Sequence, residues 1–246
     1  ATAVVRGTNV LDAEVVSTGT TRWAWSVDAH PTVIAYFDER LWLSGIDGYP
    51  GEFWASQVGV PVGENTTGSY EAFARTTDDS GALHSKLSQG TNDAILWMQG
   101  VDDVLIAGTS TAEHTISSID ASSAIAAGNI RARKRSQNGS YAGVEPLIVN
   151  SRVVFPQRAG RKLRDYQYLV ENNDLVTTDL TRLARDIAIG KFAELAYQQE
   201  PNQIVWSRMA SGALAALTYE YTEGVTAWCD ITLGGTGTIV SVASIP

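Results

Sequence analysis

Read for hydrophobic and polar positions, the chain repeats one pattern four times: an apolar run, a polar turn, a second run, a second turn and a third run. In the first copy, residues 33–37 (VIAYF) reach a turn at Asp38 and Glu39 and continue into Leu41, Trp42 and Leu43. A turn through 47–51 then leads to Phe53, Trp54 and Ala55. The second copy has 95–98 (ILWM), a turn at Asp102 and Asp103, 104–107 (VLIA), a turn near Ser110 and Thr111, and 114–116 (HTI). The third has 147–149, a turn at Asn150 and Ser151, 153–155, a turn at Ala159 and Gly160, and 163–168. The fourth has 195–197, a turn at Pro201 and Asn202, 204–206, a turn at Ser211 and Gly212, and 214–221.

Each run is short and rich in β-branched and aromatic residues, and Asp, Asn, Pro, Ser or Gly sits at the breaks. These are strand and hairpin signals. First turns fall near 38, 102, 150 and 201, so the later spacing is about 50 residues. One propeller blade occupies roughly 40–50 residues. The wider first gap holds residues 60–93, rich in Gly, Thr, Ser and Asp, which read as a loop insertion with one or two extra strands. Residues 130–136 and 225–231 are candidates for a fourth strand. Residues 178–187 carry Leu180, Leu183, Ala184 and Ile187 at helical spacing behind Thr178 or Asp179 as cap, which predicts one short helix.

The expected fold class is all-β: a β-propeller-like array of antiparallel meander blades, complete or incomplete, with one short helix. The expected domain is a single one over 1–246. A β-sandwich accommodates spaced hairpins as well, but the near-constant period and the two-turn meander favour the propeller.

Composition narrows the functional classes. The chain has 246 residues and a formal charge of −9, which works against general, tight binding of nucleic acid. Cys229 is the single cysteine; no internal disulfide can form, and the residue is expected in the core. No apolar run approaches the ~20 residues that span a bilayer, and no signal peptide opens the chain. Residues 239–246 (IVSVASIP) read as a strand without a partner, which suggests a section of a longer polypeptide.

The strings ERLWLSG (39–45), FWASQVG (53–59), RAGRKLRDY (158–166) and AYQQEPNQIVW (196–206), with the strand pair from Leu217 to Trp228, resemble the tail tubular or nozzle proteins of short-tailed bacteriophages. The resemblance implies a virion protein of the tail, a propeller-bearing subunit of a six-fold ring that conducts the genome during ejection. Its partners would be other copies of itself, adaptor and portal-side tail proteins, tail fibres and, in passing, DNA. No enzymatic activity, no metal and no cofactor are expected. The other reading is a propeller that recognises a host glycan or docks a tail fibre.

Candidate residues are mostly basic. Arg131, Arg133 and Arg135 alternate with Ala132 and Lys134, so on a strand the three arginines share one face. Arg158, Arg161, Lys162 and Arg164 surround the second turn of the third copy. Both sets are candidates for contact with a neighbouring subunit or with DNA; solvated strand faces are the alternative. Asp78, Asp79, Asp102 and Asp103 lack the spacing of a calcium loop, and His30, His84 and His114 lack paired metal-ligand spacing. Neither a GxSxG nucleophile elbow nor a glycine-rich phosphate loop occurs. Trp42, Trp54, Trp97 and Trp206 fall on predicted strands and are expected in the core, whereas Trp23 and Trp25 precede the first repeat and are candidates for an exposed aromatic patch.

Overall fold

The computed structural model describes residues 30–58, 73, 79–87, 93–120, 122–169, 174–235 and 237–245. The fold is all-β, with four antiparallel four-stranded sheets, each a meander built from consecutive strands. The first holds β1 (Val33–Phe37), β2 (Arg40–Ile46), β3 (Tyr49–Ala55) and β4 (Leu83–Lys86). The second holds β5 (Ile95–Val101), β6 (Val104–Thr109), β7 (Glu113–Ser117) and β8 (Arg131–Ser136). The third holds β9 (Leu147–Val149), β10 (Arg152–Pro156), β11 (Leu163–Leu169) and β12 (Asp174–Asp179). The fourth holds β13 (Phe192–Gln198), β14 (Ile204–Met209), β15 (Leu214–Glu220) and β16 (Val225–Ile231).

The first turns do what their residues require. Phe37 pairs with Arg40 and Val149 with Arg152, which leaves two residues in each hairpin loop. Asp38 and Glu39 take φ of 50° and 56°, and Asn150 and Ser151 take 48° and 57°. Positive φ at both central residues is the I′ geometry that matches strand twist, and Asp and Asn tolerate it better than most residues. The turn at Asp102 and Asp103 also closes in two residues, since Val101 pairs with Val104. The hairpin of the fourth sheet has a longer loop, because Gln198 pairs with Ile204.

The chain divides into two compact units, one of Ala1–Thr109 with Glu113–Arg135, the other of Ser110–Ala112 with Ser136–Pro246. In the first unit, Val33, Trp42, Phe53 and Leu83 pack with Ile95, Met98, Leu105 and Ile116 in one core. Alternation decides the composition of that core. Val33 is buried while Ile34 and Tyr36, on the opposite face of β1, are 67% and 73% exposed. In the second unit, Val149, Val154 and Leu163 pack with Phe192, Val205, Met209 and Leu217. The second strands β6 and β10 are buried at every position, hence their unbroken apolar runs. Trp42, Trp54 and Trp97 are core residues, each contributing roughly 1.5–3 kcal/mol by burial. Trp97 faces Gly108 across the β5–β6 ladder, and any Cβ at Gly108 would enter its indole.

Three expectations change. Residues 178–187 form no helix: Thr178 and Asp179 end β12, paired with Asp165 and Arg164, and turns follow up to a single 3₁₀ turn, Ile187–Gly190. Ladder pairing outcompetes the apolar spacing because Leu183 is 96% exposed and has no core to face. The Asp179 carboxylate caps only its own turn, accepting from Thr181 N and Oγ1 at 3.1 and 2.7 Å. Cys229 is exposed, since β16 is the outermost strand of its sheet. In the first copy the second turn is only Asp47 and Gly48, and β3 begins at Tyr49, with Pro50 placed where the ladder shifts register.

The fourth strands at 131–136 and 225–231 are present as β8 and β16, and β4 comes from the 60–93 segment. Residues 239–245 lie outside any sheet, tied to the fourth sheet by Ile239 N donating to Gly212 O and Val242 N to Glu194 Oε2.

The packing separates two glycines that the sequence treats alike. Gly45 has φ of 70°, and a Cβ there would collide with Thr32 Oγ1, whereas Gly48, at φ 84°, has nothing within 4 Å. Gly48→Ala then costs roughly 1 kcal/mol of backbone strain and Gly45→Ala roughly 2–4, as strain and overpacking combine. Urea unfolding of the two variants measures the gap.

His114 is fully buried in the first unit, with no hydrogen-bond partner for either ring nitrogen among the described residues. Burial, reinforced by Lys134 and opposed by Asp93, pushes its pKa from 6.5 down to about 4. The unfolded chain therefore binds a proton that the native state refuses. Stability is lost as pH falls from ~6.5 towards ~4, by up to about 3 kcal/mol. His114→Leu should flatten the pH profile of the unfolding midpoint across that window.

Candidate functional site

The basic residues singled out from the pattern fall in two places. On β8, Arg131, Arg133 and Arg135 occupy alternate positions. Arg131 Nε donates to Ser117 Oγ at 3.4 Å and Arg135 Nε to Thr115 Oγ1 at 2.9 Å, while Arg133 is exposed. The β-strand geometry thus sets two of the three guanidinium groups against hydroxyls of β7. In the second unit, the turn joining β10 to β11 carries Arg158, Arg161 and Lys162, all exposed. Lys162 Nζ lies 3.2 Å from Asp179, and Arg161 reaches the carbonyl of Ile189 at 3.4 and 3.5 Å. Arg164 is directed inward, donating from Nε to Gln157 Oε1 at 2.8 Å and from Nη1 to Thr177 Oγ1 at 3.4 Å. Burial raises the pKa of Asp179, but hydrogen bonds from Thr181 and Lys162 outweigh it and hold the carboxylate below its usual range.

The acidic and histidine candidates are dispersed. Asp102 and Asp103 sit exposed at their hairpin tip. Asp79 contributes a backbone carbonyl rather than its carboxylate to the nearest buried cation. Asp78, Trp23 and Trp25 lie outside the described residues. His84 stacks on Trp54, ring centroids 4.9 Å apart, and its Nε2 is 2.6 Å from Glu52. Trp206 is half-buried and donates to Gln198 Oε1 at 3.1 Å. Among the described residues no three His, Cys, Asp or Glu side chains gather as a metal site. Nor, among them, is any helix long and apolar enough to cross a membrane.

The strongest polar constellations are buried, and the pattern of the chain did not announce them. Arg40, the first residue of β2, is fully buried. Its Nη1 donates to the carbonyls of Ser56 and Gly81 at 2.7 Å each, and its Nη2 to those of Asp79 at 2.7 Å and Ile125 at 3.2 Å. Burial lowers its pKa and nearby Asp38 partly offsets this.

Arg152 occupies the matching place, the first residue of β10, and is 2% exposed. It pairs through Nη1 with the Asp165 carboxylate and through Nη2 with Gln167 Oε1. The Tyr221 ring covers it, with the guanidinium carbon 3.2 Å from the ring centroid. Asp165 also accepts from Tyr219 Oη at 2.6 Å and from Thr178 N at 2.7 Å. Burial, with Asp165 beside it, raises the Tyr219 pKa and keeps the phenol a donor. Every oxygen of Asp165 has a donor, and Arg152 and Asp165 are both buried.

Comparison of the chain with protein-family models and with curated proteins returned no match.

The buried pair makes a specific prediction. Arg152→Met leaves Asp165 buried without its cation and should cost about 3–5 kcal/mol. Arg152→Met combined with Asp165→Asn removes the stranded charge while keeping an acceptor for Tyr219, and should regain much of that loss. Urea unfolding of single and double variants reads the coupling directly.

Proposed function

We propose that this chain is building material of a bacteriophage tail, a nozzle or tail-tube component that forms a ring and conducts the genome during ejection. The observation that carries the proposal is how its polar groups are used. The buried cations Arg40 and Arg152 bind strands and loops of their own units. Among the described residues, the sequence strings that resemble the nozzle family fall largely on strands and hairpin turns: β2, the end of β3 with the residues just after it, the β10–β11 turn with the start of β11, and the β13–β14 hairpin. A subunit of this kind needs stiff sheets and turns at fixed spacing more than a mobile loop, and meander blades supply them.

The exposed arginines then serve assembly or guide DNA. Arg133 and its neighbours on β8 are suited to a carboxylate rim on an adjoining subunit. An overall charge of −9 disfavours lasting capture of a passing duplex, which suits a conduit.

The test is native mass spectrometry with negative-stain imaging of the purified protein over a concentration series. A concentration-dependent particle with six-fold rotational symmetry is expected, and replacing Arg131, Arg133 and Arg135 together by Ser should weaken it while the monomer stays folded. A protein that stays monomeric and instead binds host polysaccharide saturably, with quenching of tryptophan fluorescence, would replace this reading with that of a glycan-recognition module.

A further inference from the structure

The loop between β12 and β13 exposes what a folded protein ordinarily hides. Leu183 is 96% exposed and Ile189 61%, and Arg182 and Arg185 stand in the same loop, also exposed. The β10–β11 turn is bonded to it: Arg161 donates to Ile189 O, Lys162 pairs with Asp179, and Phe192 N donates to Gly160 O at 2.8 Å. Leu183 and Arg182 also line an open hollow with Leu180, Asp186, Ile187 and Trp228. The result is one patch with two aliphatic anchors among four cations, Arg161, Lys162, Arg182 and Arg185, on a protein that is acidic overall.

A bare aliphatic anchor ringed by arginine has the anatomy of a protein–protein contact, in which an apolar side chain fills a pocket and charges at the rim set orientation. Nucleic acid fits less well. A protruding leucine offers phosphates nothing, no aromatic ring of the loop is placed for base stacking, and the carboxylates of Asp179 and Asp186 stand in the patch.

The charge balance points to the partner. The first unit holds 9 Lys and Arg against 16 Asp and Glu, net −7, while the second holds 9 against 11, net −2, with four of its nine cations in this patch. We infer that the Leu183 patch of one copy docks on the acidic first unit of a second copy. This is a contact between unlike surfaces, the kind that closes into a ring. The inference rests on the ring-forming role proposed above and assigns its adhesive surface.

Sedimentation velocity of the full chain tests it, with wild type, Leu183→Asp and the double variant Arg182→Glu/Arg185→Glu. Leu183 is so exposed that its replacement should leave the circular-dichroism melt unchanged. Either variant should raise the concentration at the midpoint of association about tenfold or more, and added salt should weaken wild-type association. If both variants associate like wild type, the inference falls while the ring-forming role stands on another surface. A wild type that remains monomeric at every concentration overturns both. Duplex DNA and phosphatidylcholine–phosphatidylglycerol vesicles serve as the other arms: binding to either that Leu183→Asp abolishes, without self-association, would also overturn it.

Discussion

Register is the constraint on which this structure depends. A strand offers alternate residues to opposite faces, so a slip of one position would exchange Trp42 for Leu43 and move Arg40 out of the interior. Tight hairpins prevent the slip. Two residues in the left-handed region at Asp38 and Glu39, or at Asn150 and Ser151, leave one way for the strands to pair. The strain at Glu39 and Ser151 is offset by the sheet that follows, whose second strand is buried along most or all of its length.

The same turns deliver a buried arginine twice, and the two sites neutralise it differently. Arg40 is held by backbone carbonyls alone, so its charge is spread over dipoles of segments far apart in sequence. Arg152 has a full counter-ion, a side-chain amide and an aromatic lid. The carbonyl solution ties loops of the first unit to the start of β2. The ion-pair solution ties β10, β11 and β15 through Arg152, Asp165 and Tyr219. Neither arrangement is an efficient way to gain stability, since desolvating a guanidinium consumes most of what its bonds return. What each gains is geometric: a strand that begins with such an arginine can sit in one place only.

Sheet order was readable from the chain because the signals are local. Strand periodicity and the Asp, Asn and Gly turns act over a few residues, and each of the four meanders lies where that pattern put it. The failures share a cause. The apolar spacing of 178–187 suited a helix, yet β11 stands thirteen residues back to pair with Thr178, and Asp165 to accept its amide. Cys229 looked like a core residue, but among the described residues its strand is the last of its sheet, and the side chain is exposed. The buried polar clusters were illegible for a stronger reason: Tyr219 reaches Asp165 across 54 positions and Arg40 reaches Ile125 across 85. An arginine directly after a hairpin turn is the one local sign they leave, and it marks Arg40 and Arg152 equally well.

These features bear on function through where the charge is spent. A catalytic centre keeps polar groups incompletely satisfied and open to a substrate, so that the missing interaction is made in the transition state. In the two buried clusters here most of the bonding is internal: Asp165 has three donors, and the two terminal nitrogens of Arg40 reach four carbonyls, leaving its Nε without a partner among the described residues. At turn tips, in a loop and on an outer strand, Arg133, Arg158, Arg182 and Leu183 meet solvent. Rigid interiors with reactive exteriors suit a part that must fit against other parts, because orientation errors in a subunit multiply around a closed ring. The buried arginines hold the shape, and the exposed ones stand where the assembly proposed above would use them.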